Sequence, residues 1–229
     1  MKQAKDYNAH WDEKFRTRRW GRYPPEDLVR FIGRTYADED RGNISVLEVG
    51  CGPGANLWFL HREGFRVSGI DISPAAIEFA AGRLEIENKG LNPFPFDLKV
   101  GDFSKLPWPD QSFDLVIDIF ALYANTLDVI QAAANEVHRV LKPGGHFYSK
   151  LWGENTTGFG KGHEVEPGTY EGIPHGPCAG MGVSHFFNRE EISRVFGNFD
   201  LAAVDVVART DVLRSMAVEE YLCQFRKAG

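Results

Sequence analysis

From Ser45 to Ala55 the chain reads Ser-Val-Leu-Glu-Val-Gly-Cys-Gly-Pro-Gly-Ala: an apolar run, one carboxylate, then glycines at every second position. The run predicts a buried strand. The glycines predict a loop whose backbone a ligand can approach closely, because no Cβ obstructs it and positive φ is open to it. The spacing of Gly50, Gly52 and Ala55 satisfies the dinucleotide pattern G-x-G-x-x-G/A, and Asp71 follows about 20 residues on, where an acid meets a ribose. Charge narrows the choice. Glu48 stands two residues before the first glycine and no Lys or Arg lies between Leu47 and Leu60, so a pyrophosphate here would face a carboxylate without a counter-cation.

S-adenosylmethionine (SAM) has no phosphate, and its methionine end carries an ammonium and a sulfonium that Glu48 can favour directly or through water. Further blocks extend the pattern: Val67-Ser68-Gly69-Ile70-Asp71-Ile72-Ser73, Gly101-Asp102-Phe103, Phe113-Asp114-Leu115-Val116-Ile117-Asp118 and Leu141-Lys142-Pro143-Gly144-Gly145. In this order, with Leu47 to Gly54 read as E/D-x-G-x-G-x-G, the chain resembles the class I SAM-dependent methyltransferases from about residue 43 to residue 152. The resemblance implies a cofactor site in which Glu48 and the Gly50-Cys51-Gly52 loop hold the methionine part. Asp71 with Ile72 would hold the ribose side, Asp102 with Phe103 the adenine, and the backbone around Asp118 the amino group. Each position also has a purely structural reading: Glu48 and Asp118 as strand-end caps, Asp71 as a helix-initiating acid and Asp102 as a turn residue.

Strand and helix signals alternate through this stretch. Strands are expected at 44–49, 65–70, 96–100, 113–120 and 146–152, with helices at 56–63, 74–88 and from Asn125 to Pro143, the last capped by Asn125. The fourth strand is apolar on both faces except at Asp114 and Asp118, as buried parallel strands are. A helix near 189–195 and extended runs at 201–208 and 216–225 complete the chain, the two runs close enough to form an antiparallel hairpin. The expected fold is α/β: a doubly wound, seven-stranded, mostly parallel sheet with a C-terminal antiparallel strand. A length of 229 residues suits one domain. It divides into an N-terminal cap segment (1–40), a cofactor-binding core (43–152), an insertion loop (153–187) and a C-terminal helix and hairpin (188–229).

No run of 18 apolar residues suggests a membrane span, and the polar start from Met1 to Asp6 lacks the apolar segment of a signal peptide, so a cytoplasmic protein without membrane partners is expected. Cys51, Cys178 and Cys223 match no zinc spacing or C-x-x-C pair, and no metal site is expected. The formal charge of −6 argues against a surface built to neutralise phosphates, which makes a small-molecule acceptor the favoured partner and nucleic acid a disfavoured one. One cluster departs from that balance. Arg16, Arg18, Arg19 and Arg22 surround Trp20 and Tyr23, and could meet an anionic substrate, a nucleic acid or the SAM carboxylate, or form a solvated helix end. In small-molecule members of the family a similar N-terminal segment folds over the cofactor, which makes Trp20 and Tyr23 candidate cofactor contacts.

Methyl transfer from a sulfonium is an in-line displacement with a good leaving group, so positioning alone supplies roughly 7 to 11 kcal/mol and a general base is optional. The base candidates are His163, His175 and Tyr123, with Glu164, Glu166 and His185 also in or near the glycine-rich 153–187 segment, which is expected to supply acceptor contacts and to order around a bound acceptor. The reading is SAM-dependent methyl transfer to an oxygen or nitrogen of a small molecule. Its alternatives are an RNA or protein methyltransferase, favoured by the arginine cluster, and a non-catalytic SAM-binding protein. Calorimetry should detect SAM and S-adenosylhomocysteine but not NAD or NADP; comparable NAD binding would overturn the charge argument. Asp71→Ala should weaken SAM more than Asp102→Ala, since a carboxylate bonded to two hydroxyls loses about 1.5 to 3 kcal/mol per charged hydrogen bond before rehydration.

Overall fold

The computed structural model describes Lys2 to Gly229, with side chains from Asn8 onward. The polar start from Met1 to Asp6 lies outside the residues whose side chains are described. Two helices, α1 (Lys2–Thr17) and α2 (Glu26–Thr35), precede the alternating core of β1 (Ser45–Val49), α3 (Ala55–Arg62), β2 (Arg66–Asp71), α4 (Pro74–Glu87), β3 (Asp97–Val100), β4 (Phe113–Ile119), α5 (Leu127–Val140) and β5 (Leu141–Trp152). Then come β6 (His163–Glu166), β7 (Thr169–Glu171), β8 (Ser184–His185), α6 (Arg189–Val195), β9 (Asp200–Asp211) and β10 (Met216–Arg226).

Seven strands form one sheet in the order β3-β2-β1-β4-β5-β10-β9. β1 is buried from Val46 onward because it lies between parallel neighbours with helices on both faces. Its register sets Val49 beside Ile70 of β2 and Asp118 of β4, while Asp71 pairs with Val100 of β3. The carboxyl ends of four strands therefore finish in one row, where ligands of open α/β sheets bind.

The antiparallel strand is β10, and it lies inside the sheet between β5 and β9 rather than at the edge. Burial explains the order: Tyr221, Leu222, Cys223 and Phe225 of β10 are buried, whereas most of β9 is exposed.

Several boundaries differ from the sequence reading: β5 begins at Leu141 rather than 146, β9 runs to Asp211 rather than 208, and both ends of α5 shift. Helix α5 starts at Leu127 with Thr126, not Asn125, as its N-cap; the Asn125 amide instead donates back to the Ala121 and Leu122 carbonyls. It ends at Val140, before Pro143, because Leu141 is already extended and pairs with Phe113. The 153–187 segment also departs from expectation. It is not an open loop awaiting a ligand but a small sheet of order β6-β7-β8, and Cys178, Phe186 and Phe187 are fully buried against the main core. Glu166 ties it down: its Oε1 accepts the Leu127 N–H at 2.6 Å and the Thr169 hydroxyl at 3.0 Å, capping α5 from the insertion.

The N-terminal helices are anchored in the same manner. On α2, Leu28, Phe31 and Ile32 are buried, and Phe31 stacks on Tyr148 of β5 at 4.7 Å. On α1, Asp12 accepts from the Ser73 hydroxyl at 2.8 Å and the Ala75 N–H at 2.9 Å, fixing the helix to the start of α4. Cys51, Cys178 and Cys223 are free and buried. Among the described residues no helix is long and apolar enough to cross a membrane.

Glu166→Ala should cost about 1 kcal/mol through loss of the α5 cap, a fall of about 2 to 4 °C in Tm for a domain of this size, whereas Glu166→Gln should recover most of it. Thermal denaturation of the two variants checks this; equal Tm values for Ala and wild type would mean that the cap contributes nothing.

Candidate functional site

Glycine is required where β1 turns into α3. Gly50, Gly52 and Gly54 all have positive φ, and a Cβ on Gly50 would overlap that of Ala121. Over this loop lies α1: the Phe15 ring edge is 3.3 Å from where a Gly52 Cβ would be, and Phe15, Trp11 and Trp20 pack together, with the Phe15 and Trp20 rings 4.8 Å apart. Phe103 approaches the Gly50 position to 3.7 Å. The N-terminal segment thus packs directly on the glycine loop.

Three carboxylates are buried at the row of strand ends, each by a different arrangement. Asp71 accepts the Gly52 N–H and the Ser73 N–H, both at 2.9 Å, so the end of β2 holds the glycine loop in place; each oxygen keeps a lone pair for a further donor. Asp118 accepts the Ala121 and Leu122 N–H groups and the Ser149 hydroxyl, which spends its side chain on the turn after β4. Glu48 is 2% exposed; its Oε1 accepts from the Asn56 amide at 2.6 Å and the Leu57 N–H also favours its charged form, while among the described residues Oε2 and the Asn56 Oδ1 are buried without a hydrogen-bond partner. Two orphaned acceptors under a cradle of glycines call for a ligand with donors or positive charge. Burial raises Glu48 to about 8, opposed by its Asn56 hydrogen bond and reinforced by Asp118 and Asp71, and burial raises Asp71 and Asp118 to about 6.

The turn after β4 carries a feature that no sequence pattern marks. Phe120 has φ +58, an uncommon conformation for a bulky residue, and its ring stacks on Trp152 at 4.0 Å and 17° with Tyr123 edge-on to both. The Lys150 ammonium lies 5.0 Å from the Phe120 ring centre, held by Asp27 at 3.1 Å and Glu220 at 2.9 Å. Asp12, Phe120, Trp152 and the Lys150 pairs are absent from the sequence reading because each depends on elements far apart in the chain.

The structure brings Glu48, Gly50, Gly52, Asp71, Phe103 and Asp118 together. Ile72 is half-buried against the same core, and Asp102, exposed, accepts the Ser104 N–H as a turn residue. Cys51 points away from the loop surface: its sulfur lies 3.0 Å from the Gly69 Cβ position, inside the core. Tyr23 is not brought to the loop; it is 72% exposed and meets Trp58 edge-on. His163 is exposed on β6. His175 lines a cavity with Thr157, Arg214 and Met216 that contains no glycine-loop residue. Of the other candidates, Glu166 is the α5 cap and His185 is buried between Thr169 and Glu191, both in structural roles.

Residues 46–145 match the protein family described as a methyltransferase domain. The chain is similar to the tRNA N(3)-cytidine methyltransferase METTL2 of Gallus gallus, 28% identical over 90% of this chain and 58% of that protein. It is 40% identical to the demethylmenaquinone methyltransferase of Tropheryma whipplei strain Twist over 51% of this chain and 42% of that enzyme. The chain thus spans 58% and 42% of the lengths of these two relatives. The fold matches a SAM-dependent methyltransferase from Methanosarcina mazei with a TM-score of 0.68, at 21% identity over 90% of this chain and 99% of the other. These findings correct the partner expectation. The inference from net charge that nucleic acid is disfavoured is overturned by a tRNA-modifying relative aligned along nearly the whole chain; a net charge of −6 sums the entire surface and says nothing about where its arginines gather.

Carboxyls raised above their unfolded values bind protons on folding, so their contribution to stability is full below about pH 4 to 4.5 and is lost as pH rises through 6 for Asp71 and Asp118 and through 8 for Glu48. The ligand-free Tm should therefore fall between pH 5.5 and 8.5, and Glu48→Gln should flatten the part above pH 6. Thermal denaturation across that range checks it; an unchanged slope in Glu48→Gln would mean that Glu48 is ionised in the folded protein.

Proposed function

We propose that this chain, a class I S-adenosylmethionine-dependent methyltransferase, transfers a methyl group to a base of RNA, with a tRNA cytosine as the leading acceptor. The observation that carries the reading is the reach of the similarity. A shared cofactor core accounts for matches of about half the chain, but the tRNA enzyme aligns over 90% of it, which includes most of the two end segments that surround the core. Those segments supply the walls of an acceptor site in this fold, so likeness there bears on the acceptor more than likeness in the core.

The residues present fit the cofactor. Glu48, with its orphaned oxygen, and the Gly50 and Gly52 backbone would hold the methionine part. Asp71 with Ile72 would hold the ribose side, Phe103 and Asp102 the adenine, and the backbone around Asp118 the amino group. When bound, the cofactor supplies an activated methyl on a sulfonium that departs as a neutral thioether. The protein's own task is to align a nucleophile, exclude water and hold both partners still. A pyrimidine ring nitrogen attacks with its own lone pair and needs no base, which agrees with a glycine loop near which neither His163 nor His175 is placed as a lining group. The Phe120, Tyr123 and Trp152 cluster, beside Ala121 over Gly50, offers the apolar wall against which a flat ring packs.

In this reading the chain is one methyltransferase domain: residues 1–40 cap the site, 43–152 bind the cofactor, 153–187 cover the edge and brace α5, and 188–229 close the sheet. Its buried free thiols suit a reducing compartment such as the cytoplasm.

The test is to incubate the purified chain with methyl-labelled SAM and either pooled tRNA transcripts or a small-molecule extract, then resolve the nucleosides of the digested RNA. Label in a methylated cytidine is the expected result. Label confined to the small-molecule fraction would overturn the RNA reading and leave the family assignment standing.

A further inference from the structure

A cleft of about 350 Å³ opens beside the glycine loop, between the end of α1 and α4, with Pro53 on its inner wall. Its charged lining is four arginines, Arg16, Arg18, Arg22 and Arg83, against a single carboxylate, Glu87. That is an excess of cations in a chain whose formal net charge is −6. The carboxylates in reach do not use up this charge. Glu87 is shared between Arg22 and Arg83, and Asp12 pairs with Arg16 while its other oxygen holds Ser73 and Ala75. Arg18 is exposed, and among the described residues the one hydrogen-bond partner of its guanidinium is the Met181 sulfur, at 3.8 Å.

Aromatic surface accompanies the arginines. Trp20 and Phe15 line the cleft, and Phe79, although on a helix that packs against the core, is 47% exposed there. A buried core does not need a half-exposed Phe79, and a solvated helix end does not need four guanidiniums around a concave surface. Guanidinium groups that match phosphate oxygens, alternating with rings on which bases stack, are what single-stranded nucleic acid requires of a protein.

We propose that this cleft is a binding site for the sugar-phosphate strand next to the target base, taking a phosphodiester on Arg18 and Arg22 and stacking a flanking base on Trp20 or Phe79. Its lining includes none of Glu48, Asp71, Phe103 or Asp118, so it lies beside the strand ends rather than on them. It rests on the RNA reading above and adds the surface by which a strand is gripped. Its place against Pro53 makes the grip continuous with the cofactor loop, so one end of the strand is fixed within a few residues of the reaction centre. The glutamate sets a limit on non-specific affinity, since it keeps two of the four cations partly neutralised until a phosphate competes for them.

The experiment uses the full chain with a fluorescein-labelled single-stranded oligouridylate and with a tRNA transcript, in fluorescence anisotropy at several salt concentrations, alongside calorimetry of S-adenosylhomocysteine. Arg18→Gln and the Arg18→Gln/Arg22→Gln pair should weaken oligonucleotide binding about 10-fold or more. The double variant should reduce the slope of log K against log salt by about 0.7, the value for one single-strand phosphate contact. S-adenosylhomocysteine affinity should stay at the wild-type value, which also reports that the variants are folded. Phe79→Ala should weaken oligonucleotide binding with no change in salt slope. An unchanged salt slope in the double variant overturns the proposal, as does a parallel loss of S-adenosylhomocysteine affinity, which would assign the arginines to the cofactor carboxylate. If wild type methylates RNA and the variants bind it normally, only this inference fails. If wild type neither binds nor methylates RNA, the RNA reading fails and takes the cleft with it.

Discussion

The parallel register that sets Val49 beside both Ile70 and Asp118 is the constraint on which the rest of this molecule depends. Because β1 is hydrogen-bonded on both sides and covered on its faces, Glu48 near its end is buried, and the loop after it runs across the ends of its neighbours. The Asp71 carboxylate then bridges from β2 to the Gly52 N–H, and Asp118 folds the chain after β4 back through Ala121 until it touches Gly50. One ladder thus brings together residues separated by some seventy positions. A slip of one residue would turn Glu48 to the opposite face and dissolve the site.

That assembly concentrates acid in a poorly solvated place, and the cost is visible in carboxyls that hold their protons far above their ordinary range. Structural anion sites normally pair such groups with cations. Here Asp71 and Asp118 are satisfied by backbone N–H groups and a hydroxyl, while Glu48 is left with an open oxygen. A ligand with positive charge or donors would relieve this imbalance, whereas a pyrophosphate would add to the negative charge.

The charge of the molecule is divided by region rather than blended. Acid gathers at the strand ends, and arginine gathers along the cleft of α1 and α4 only a loop away. A net value averages over this division and says nothing of where the cations gather. The insertion illustrates a second division. Its glycines have the pattern of a mobile lid, yet Glu166 and His185 pin it to α5 and α6 and Phe186 and Phe187 complete the core.

The sequence by itself determined the alternating α/β order, the bounds of the first four core strands to within a residue, and the glycine loop with its acids, because each is a local pattern of period, glycine spacing and charge; the fifth strand begins five residues before its expected start. It also placed no Lys or Arg between Leu47 and Leu60, which favours a cofactor without a pyrophosphate. Only the tertiary structure decided that β10 lies inside the sheet, since that order depends on which strand of a hairpin has more apolar surface to bury. The same holds for the α5 boundaries, because the Leu127 N–H finds its acceptor in Glu166, 39 residues away. Tyr23 reads like Trp20 in sequence, but only one of them packs with Phe15, and Phe120 shows no sequence mark of its positive φ. Contacts across the chain are set by packing in three dimensions, and a one-dimensional pattern carries them only when the partners happen to be neighbours in sequence.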